Sequence, residues 1–194
     1  MRKFLVIFYL LTSAVQSMSQ ADKDSTDLVK RLNLFMEYNN ITDFSKVMDY
    51  TYPKIFTLAS KEELIASMEE TFNDEELGMK MDSLKVVKIY PLFSEGSNKY
   101  ARVTYSMTLL MTPKITEGDS IDIYMYLNIM QGQYGKENVR LDSTEKTLKI
   151  FQELDMAAIK DEISTEWTFL NIAKDDASME MILSKELLAR FYSN

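Results

Sequence analysis

The sequence predicts an α+β domain in which N-terminal helices pack on a curved antiparallel sheet, with short helices at the C-terminus. Three observations predict it. Apolar residues repeat at helical spacing from Leu28 to Phe72. From Tyr100 to Met111 they repeat at every second position instead. After Ser184 the spacing becomes helical again.

The first helix is expected over Asp27–Tyr38, where Leu28, Val29, Leu32, Phe35 and Met36 form one stripe and Asn39-Asn40 ends it. A second, short helix is expected from Asp43 to about Tyr50. Tyr52-Pro53 interrupts regular structure, because the residue before proline avoids helical angles. Ser60 with Glu63 reads as a capping box, and Leu64, Ile65, Met68 and Phe72 form the apolar face of the third helix. Lys80–Tyr90 is rich in β-branched and apolar residues and reads as a strand. Pro91 and Ser94-Glu95-Gly96-Ser97-Asn98 then turn the chain. In the next strand Ala101, Val103, Tyr105, Met107, Leu109 and Met111 face the core. Tyr100, Arg102, Thr104, Ser106 and Thr108 face away, as in a sheet with one buried side. The two strands should pair as an antiparallel hairpin.

Asp119–Tyr134 reads two ways. Ile121, Ile123, Met125, Leu127 and Ile129 alternate like a strand, whereas Asp119 or Ser120 can cap a helix, Asp122 suits its first turn and Gly135 with Lys136 suits its end. Two further strands, Thr147–Ala158 and Thr165–Ile172, flank a polar turn near Lys160-Asp161-Glu162. Asp175 or Asp176 caps a short helix. Ser184 starts the last helix, with Leu187, Leu188 and Phe191 inward.

The start of the chain carries Arg2 and Lys3, an apolar run from Phe4 to Leu11, and then small residues including Ser17 and Ser19. This order predicts a cleavable export signal over 1–19, cut before Gln20, followed by a single domain over 22–194 in the periplasm or the medium. The run is far below the about 20 residues a spanning helix needs, so no membrane association is expected after cleavage. With no cysteine, disulfides and a lipid anchor at a mature cysteine are both excluded. The remaining about 175 residues can bury roughly 70% of their unfolded surface, enough for an ordinary core.

The formal charge is −8, falling to −10 without Arg2 and Lys3, and the sequence contains no basic run. Nucleic acid is therefore not an expected partner. Histidine is absent as well, so there is no imidazole base; without cysteine there is no thiolate nucleophile, and the two absences together exclude a zinc site of nitrogen and sulfur ligands. The five glycines are scattered in turns, so no phosphate-cradling loop is expected. Asp74-Glu75-Glu76 and Asp175-Asp176 lack the spacing of a calcium loop and read as solvated or capping charges. No metal or cofactor is expected.

Three stretches resemble the nuclear transport factor 2-like (SnoaL-like) superfamily, an α+β cone. They are Val47-Met48-Asp49-Tyr50-Thr51-Tyr52-Pro53-Lys54-Ile55-Phe56, Gln133-Tyr134-Gly135-Lys136-Glu137-Asn138-Val139 and Thr165-Glu166-Trp167-Thr168-Phe169-Leu170. They look similar to small exported bacterial proteins of that fold. The resemblance implies helix over 119–134, a hollow inside the cone and dimers through the outer sheet face. It selects no activity, because isomerases, dehydratases, cyclases, transport adaptors and binding modules share the fold.

On such a cone Tyr50, Tyr52, Phe56, Tyr105, Met107 and Trp167 would line the interior. Tyrosine and tryptophan place a polar handle in an apolar wall, and methionine adapts to irregular apolar ligands. Plain core packing is the simpler reading of the same stripe. Acid–base chemistry would have to use Asp49 or Asp155 with Tyr52 or Tyr105. No catalytic residue is assigned on these grounds. The expectation is a non-enzymatic exported module that binds an apolar small molecule or a partner protein. The alternatives are an isomerase or dehydratase using Asp and Tyr, and a structural dimer or adaptor.

Overall fold

The computed structural model describes residues 23–115, 122–173 and 177–193. The expected leader, caps at Asp119 or Ser120, and the cap at Asp175 or Asp176 lie outside these residues. The described chain is α+β: helices pack on a six-stranded antiparallel sheet that does not close. No described helix is long and apolar enough to cross a membrane.

Helix α1 covers residues 23–40, longer than the apolar stripe at both ends. Asp43 caps α2 (Phe44–Tyr50) by accepting from the Lys46 N–H at 3.1 Å. A 3₁₀ turn, Pro53–Thr57, begins at the proline. The capping box at Ser60 is complete and opens α3 (Lys61–Asn73). Ser60 Oγ accepts from the Glu63 N–H at 3.2 Å, and the Glu63 carboxylate accepts from the Ser60 N–H at 2.8 Å. Ser60→Ala should cost about 1 kcal/mol in urea unfolding, since it removes one of these two bonds. The expected apolar face of α3 is only half-buried, and its C-terminal end lies beside Met79 and Met81 of the sheet. There the Phe72 ring lies 5.3 Å from Phe44.

The sheet is built around two long strands, β3 (Asn98–Met111) and β5 (Thr147–Lys160), antiparallel along their whole length. Each has a divided neighbour. On one side β3 pairs with β1 (Met79–Ile89) and, past Pro91, with β2 (Phe93–Glu95). On the other side β5 pairs with β4 (Val139–Asp142) along Thr147–Ile150 and with β6 (Thr168–Ile172) along Asp155–Ile159. The hairpin expected between the first two strands is present. Two bulges, between Met81 and Ser83 and between Val86 and Lys88, bend β1. Gly78 starts this strand at φ +56, where a Cβ would sit 2.6 Å from the Thr112 carbonyl oxygen. Gly78→Ala therefore meets both strain and a backbone clash, and should lower unfolding free energy by about 1–3 kcal/mol.

Residues 123–134 are helical: α4 spans Ile123–Tyr134. The Asp122 carboxylate caps it by accepting from the Met125 N–H at 2.8 Å. So Asp122 is the cap rather than a first-turn residue. Gly135 ends the helix at φ +93. The last helix, α5 (Lys185–Ser193), buries Leu187, Leu188 and Phe191 as its spacing predicts.

The core forms on both faces of the sheet. On the inner face Leu28, Leu32 and Met36 of α1 pack against Ala101, Val103, Tyr105, Met156, Ala158, Trp167 and Phe169. Toward the other end, Ile123, Leu127 and Met130 of α4 pack against Leu109, Met111, Leu148 and Ile150. The expectation of a single buried side is corrected on β3. Tyr100 and Thr104, read as outward, are 5% and 8% exposed. The reason is α5 with the turn just before it: Leu183, Leu187, Leu188 and Phe191 cover one end of the outer face above Tyr100, Ala157, Ile159 and Leu170. The rest of that face is open.

Candidate binding surface

The residues expected to line a hollow divide between two layers. Trp167, Tyr105, Tyr50 and Met107 belong to the inner-face core. Tyr52 belongs to the opposite layer, beside Tyr100 and Phe191, because the connector after α2 runs along β6. Its backbone N–H donates to the Phe169 carbonyl at 2.9 Å. Phe56 is half-buried in the turn that follows.

The polar handles of Trp167, Tyr105 and Tyr52 are already taken by the protein. Trp167 is fully buried and its indole N–H donates to the Asp24 carbonyl at 3.1 Å. The Tyr105 hydroxyl donates to Asn171 Oδ1 at 3.0 Å, and the Tyr52 hydroxyl to Asp161 Oδ2 at 2.7 Å. The Tyr50 ring lies under the Arg31 guanidinium at 4.6 Å, while Arg31 Nε donates to the Trp167 carbonyl. Each group stabilises the packing of α1 and the connector on the sheet.

Burial pushes the Tyr105 phenol up to about 12, and burial with the Asp161 carboxylate raises Tyr52 further still. The sign follows from which state holds the proton. Below the unfolded value near 10 both states are protonated, so stability does not change. Above it the unfolded chain binds fewer protons than the folded one, so stability falls as pH rises from 10 to 12. Tm measured across this range should drop with rising phenolate absorbance, and Tyr105→Phe should flatten the drop.

The acid–base candidates do not converge. Asp49 is an exposed helix-end residue whose carboxylate accepts from Lys61 Nζ at 2.5 Å; that bond and the nearby charge hold it below the usual carboxylate range. Asp155 is on the outer face, where it accepts from Thr104 Oγ1 at 2.5 Å and lies 3.8 Å from Arg102. Tyr105 faces the opposite side of the sheet, since it pairs with Leu154 and alternation separates it from Asp155.

The outer face is different in kind. Residues opposite one another in a ladder share a face, so the registers place Arg102, Thr104, Ser106, Thr108 and Leu110 together with Asp155, Glu153, Phe151 and Lys149. The same rule adds Lys80, Lys85 and Lys88 from β1 and Arg140 from β4. Lys80, Lys85, Lys88, Arg140 and Lys149 are exposed. A basic surface therefore exists in an acidic chain, contrary to what the absence of any basic run suggests. Alternation hides it: the cations are spaced along four strands and gathered only by the register.

Ion pairs on this face among the described residues are Arg102–Asp155 and Lys149–Asp142, at 3.8 and 3.4 Å. Arg102 is held flat by tyrosines, its guanidinium 3.7 Å from the Tyr90 ring centre and 5.2 Å from that of Tyr192. Lys88 lies over the same Tyr90 ring at 4.1 Å. Asp142 is held low mainly by the Glu145 backbone N–H, and also by Thr144 and Lys149. Arg140 and Lys149 stand directly opposite each other, a like-charge pair that costs stability. With Thr108, Glu137, Asn138 and the exposed ring of Phe151 they line a groove of about 320 Å³. A second cleft of about 380 Å³ lies between α2, α3 and β1, walled by Phe44, Phe72, Met79 and Met81. Among the described residues no cluster of acidic side chains could hold a metal ion.

No family model, curated protein or solved structure matches the chain, so the reading of this surface rests on its own geometry.

Proposed function

We propose that the chain is an exported, non-enzymatic binding module whose working surface is the open part of the outer sheet face, and whose occupant is a partner protein. One contrast carries this reading. The polar atoms of Trp167, Tyr105 and Tyr52 on the expected pocket residues are bonded within the protein, whereas Lys80, Lys85 and Arg140 of the outer face have no ion-pair partner among the described residues. A small apolar ligand takes its orientation from a few free polar groups in an apolar wall. Trp167, Tyr105 and Tyr52 offer none. An isomerase or dehydratase would need a carboxylate and a phenol aimed at one space, and Asp155 and Tyr105 lie on opposite faces.

Native mass spectrometry on the chain purified without detergent from the cells that make it tests this. The expected result is the bare polypeptide mass. A stoichiometric apolar molecule, released by organic extraction and lost in Tyr105→Phe, would overturn the reading in favour of an interior ligand site.

A further inference from the structure

We infer that the chain pairs with a second copy of itself through the outward side of α4, the two helices packing antiparallel about a twofold axis between Asn128 and Ile129. The first observation is what α4 exposes. From Ile123 to Tyr134 it contains no charged residue, in a chain of which 27% is charged. Ile123, Leu127 and Met130 turn inward to the sheet. Tyr124, Met125 and Ile129 are 59%, 44% and 47% exposed, and Asn128, Gly132 and Gln133 are exposed beside them. Met125, Asn128, Ile129 and Gly132 follow at i, i+3, i+4 and i+7, so they form one stripe along the helix. The solvent side of a surface helix ordinarily carries charged residues, and this one carries none.

The second observation is Gly132. Glycine is the poorest helix former after proline, so a helical glycine needs a reason. Gly132 is not among the positive-φ residues, and a Cβ built on it would meet nothing within 4 Å. Neither backbone conformation nor internal packing calls for glycine there. A second helix lying against α4 does, because a position without a side chain is a hole that lets it approach closely.

Both observations fit one geometry. A twofold axis presents the same patch of each copy to the other. With the axis between Asn128 and Ile129, Met125 comes opposite the partner's Gly132, and the same contact occurs twice. Methionine is an unbranched, adaptable knob for such a hole. At the helix ends, exposed Asp122 comes near the partner's Lys136, and the two helix dipoles oppose. Glu137, next to Lys136, instead lines the groove with Arg140 and Lys149.

Charge also argues for this site of contact. Each copy carries a net charge of −8, so two copies repel over most of their surface and meet most easily where charge is absent or opposed. An anionic membrane is repelled by the same charge. A contact of one helix on another supports a weak dimer, with a Kd of about 10–100 μM. Because α4 packs on the inner side of the sheet, pairing leaves the outer face of each copy open. It adds only whole polypeptides, so the native mass measurement above stays readable.

Sedimentation equilibrium on the purified chain, from about 5 to about 500 μM, is the test. A monomer–dimer equilibrium is expected. Gly132→Leu fills the hole and Met125→Ala removes the knob, and each should weaken pairing by about tenfold or more. Combining them moves the knob to the facing position and should restore pairing to within about threefold of wild type. Leucine is the better helix former, so Tm of Gly132→Leu in dilute solution should stay level or rise while pairing falls, which misfolding cannot mimic. A wild-type chain that stays monomeric throughout, undiminished pairing in Gly132→Leu, or a double variant no better than the single ones overturns the inference. So does a monomer that co-floats with zwitterionic phospholipid vesicles and loses this in Ile129→Glu, which would make a membrane surface the occupant of α4.

Discussion

Trp167→Ala is expected to be the most damaging single substitution in the chain, at about 3–5 kcal/mol. The side chain is fully buried, in the cluster where Leu28 and Leu32 of α1 meet Ala158 and Phe169 of the sheet. Truncation opens a cavity there that the long β3–β5 ladder resists closing. It also leaves the Asp24 carbonyl without the indole N–H. Urea unfolding should show a lower midpoint with an unchanged slope. Trp167→Phe should cost less than alanine because it refills most of the volume. An alanine variant within 1 kcal/mol of wild type would mean that α1 does not hold this site as described.

Asp24→Ala carries the second-largest expected effect, at about 2–3 kcal/mol. Its carboxylate is 4% exposed and pairs with Lys99 and with Lys160, the latter at 3.3 Å. Those lysines stand directly opposite each other on β3 and β5, so the carboxylate neutralises a cross-strand cation pair as well as anchoring α1. Removing one partner of a buried ion pair costs about 3–5 kcal/mol. The lower figure here reflects lysines that are 27% and 28% exposed and can turn toward water. Urea unfolding measures it, and adding Lys99→Met should recover part of the loss. The Trp167 indole bonds the Asp24 backbone carbonyl, which Asp24→Ala keeps, so non-additivity in their double variant would report a shift of α1 and not loss of that bond.

The pair Lys99–Lys160 also throws Arg140–Lys149 into relief. Both are cations opposed across β5, and the first has a buried carboxylate between its members. The second has Asp142 at one side and Glu137 in the same groove. The same local problem is solved internally near α1 and left open in the outer groove.

Much of the fold was legible because local signals were consistent. The stripe from Leu28 to Met36, the Ser60–Glu63 box and the alternation from Tyr100 to Met111 each depend on neighbours in sequence, and each appears in the structure. The helix at Ile123–Tyr134 was open on periodicity alone, since Ile123, Met125, Leu127 and Ile129 alternate. Half of those residues prove exposed: Met125 and Ile129 point to solvent, and Ile123 and Leu127 pack on the sheet. The short strands Phe93–Glu95 and Val139–Asp142 escaped notice because their only signal is the long strand beside them. The outer face was hidden for a related reason. That Tyr100 is buried depends on where α5 lands, and that Arg140 meets Lys149 depends on a register no local pattern encodes. Tyr52 shows the limit most clearly. Two residues from Tyr50 in sequence, it lies in the other layer of the molecule.

Site-specific photo-cross-linking in the producing cells puts the central claim to its sharpest trial. A photo-reactive residue would replace Ser106, in the middle of the open outer face, or Asn33, on the exposed side of α1. The account predicts a discrete protein adduct from position 106 and none from position 33. Adducts from position 33 alone, or equal adducts from both, would contradict it.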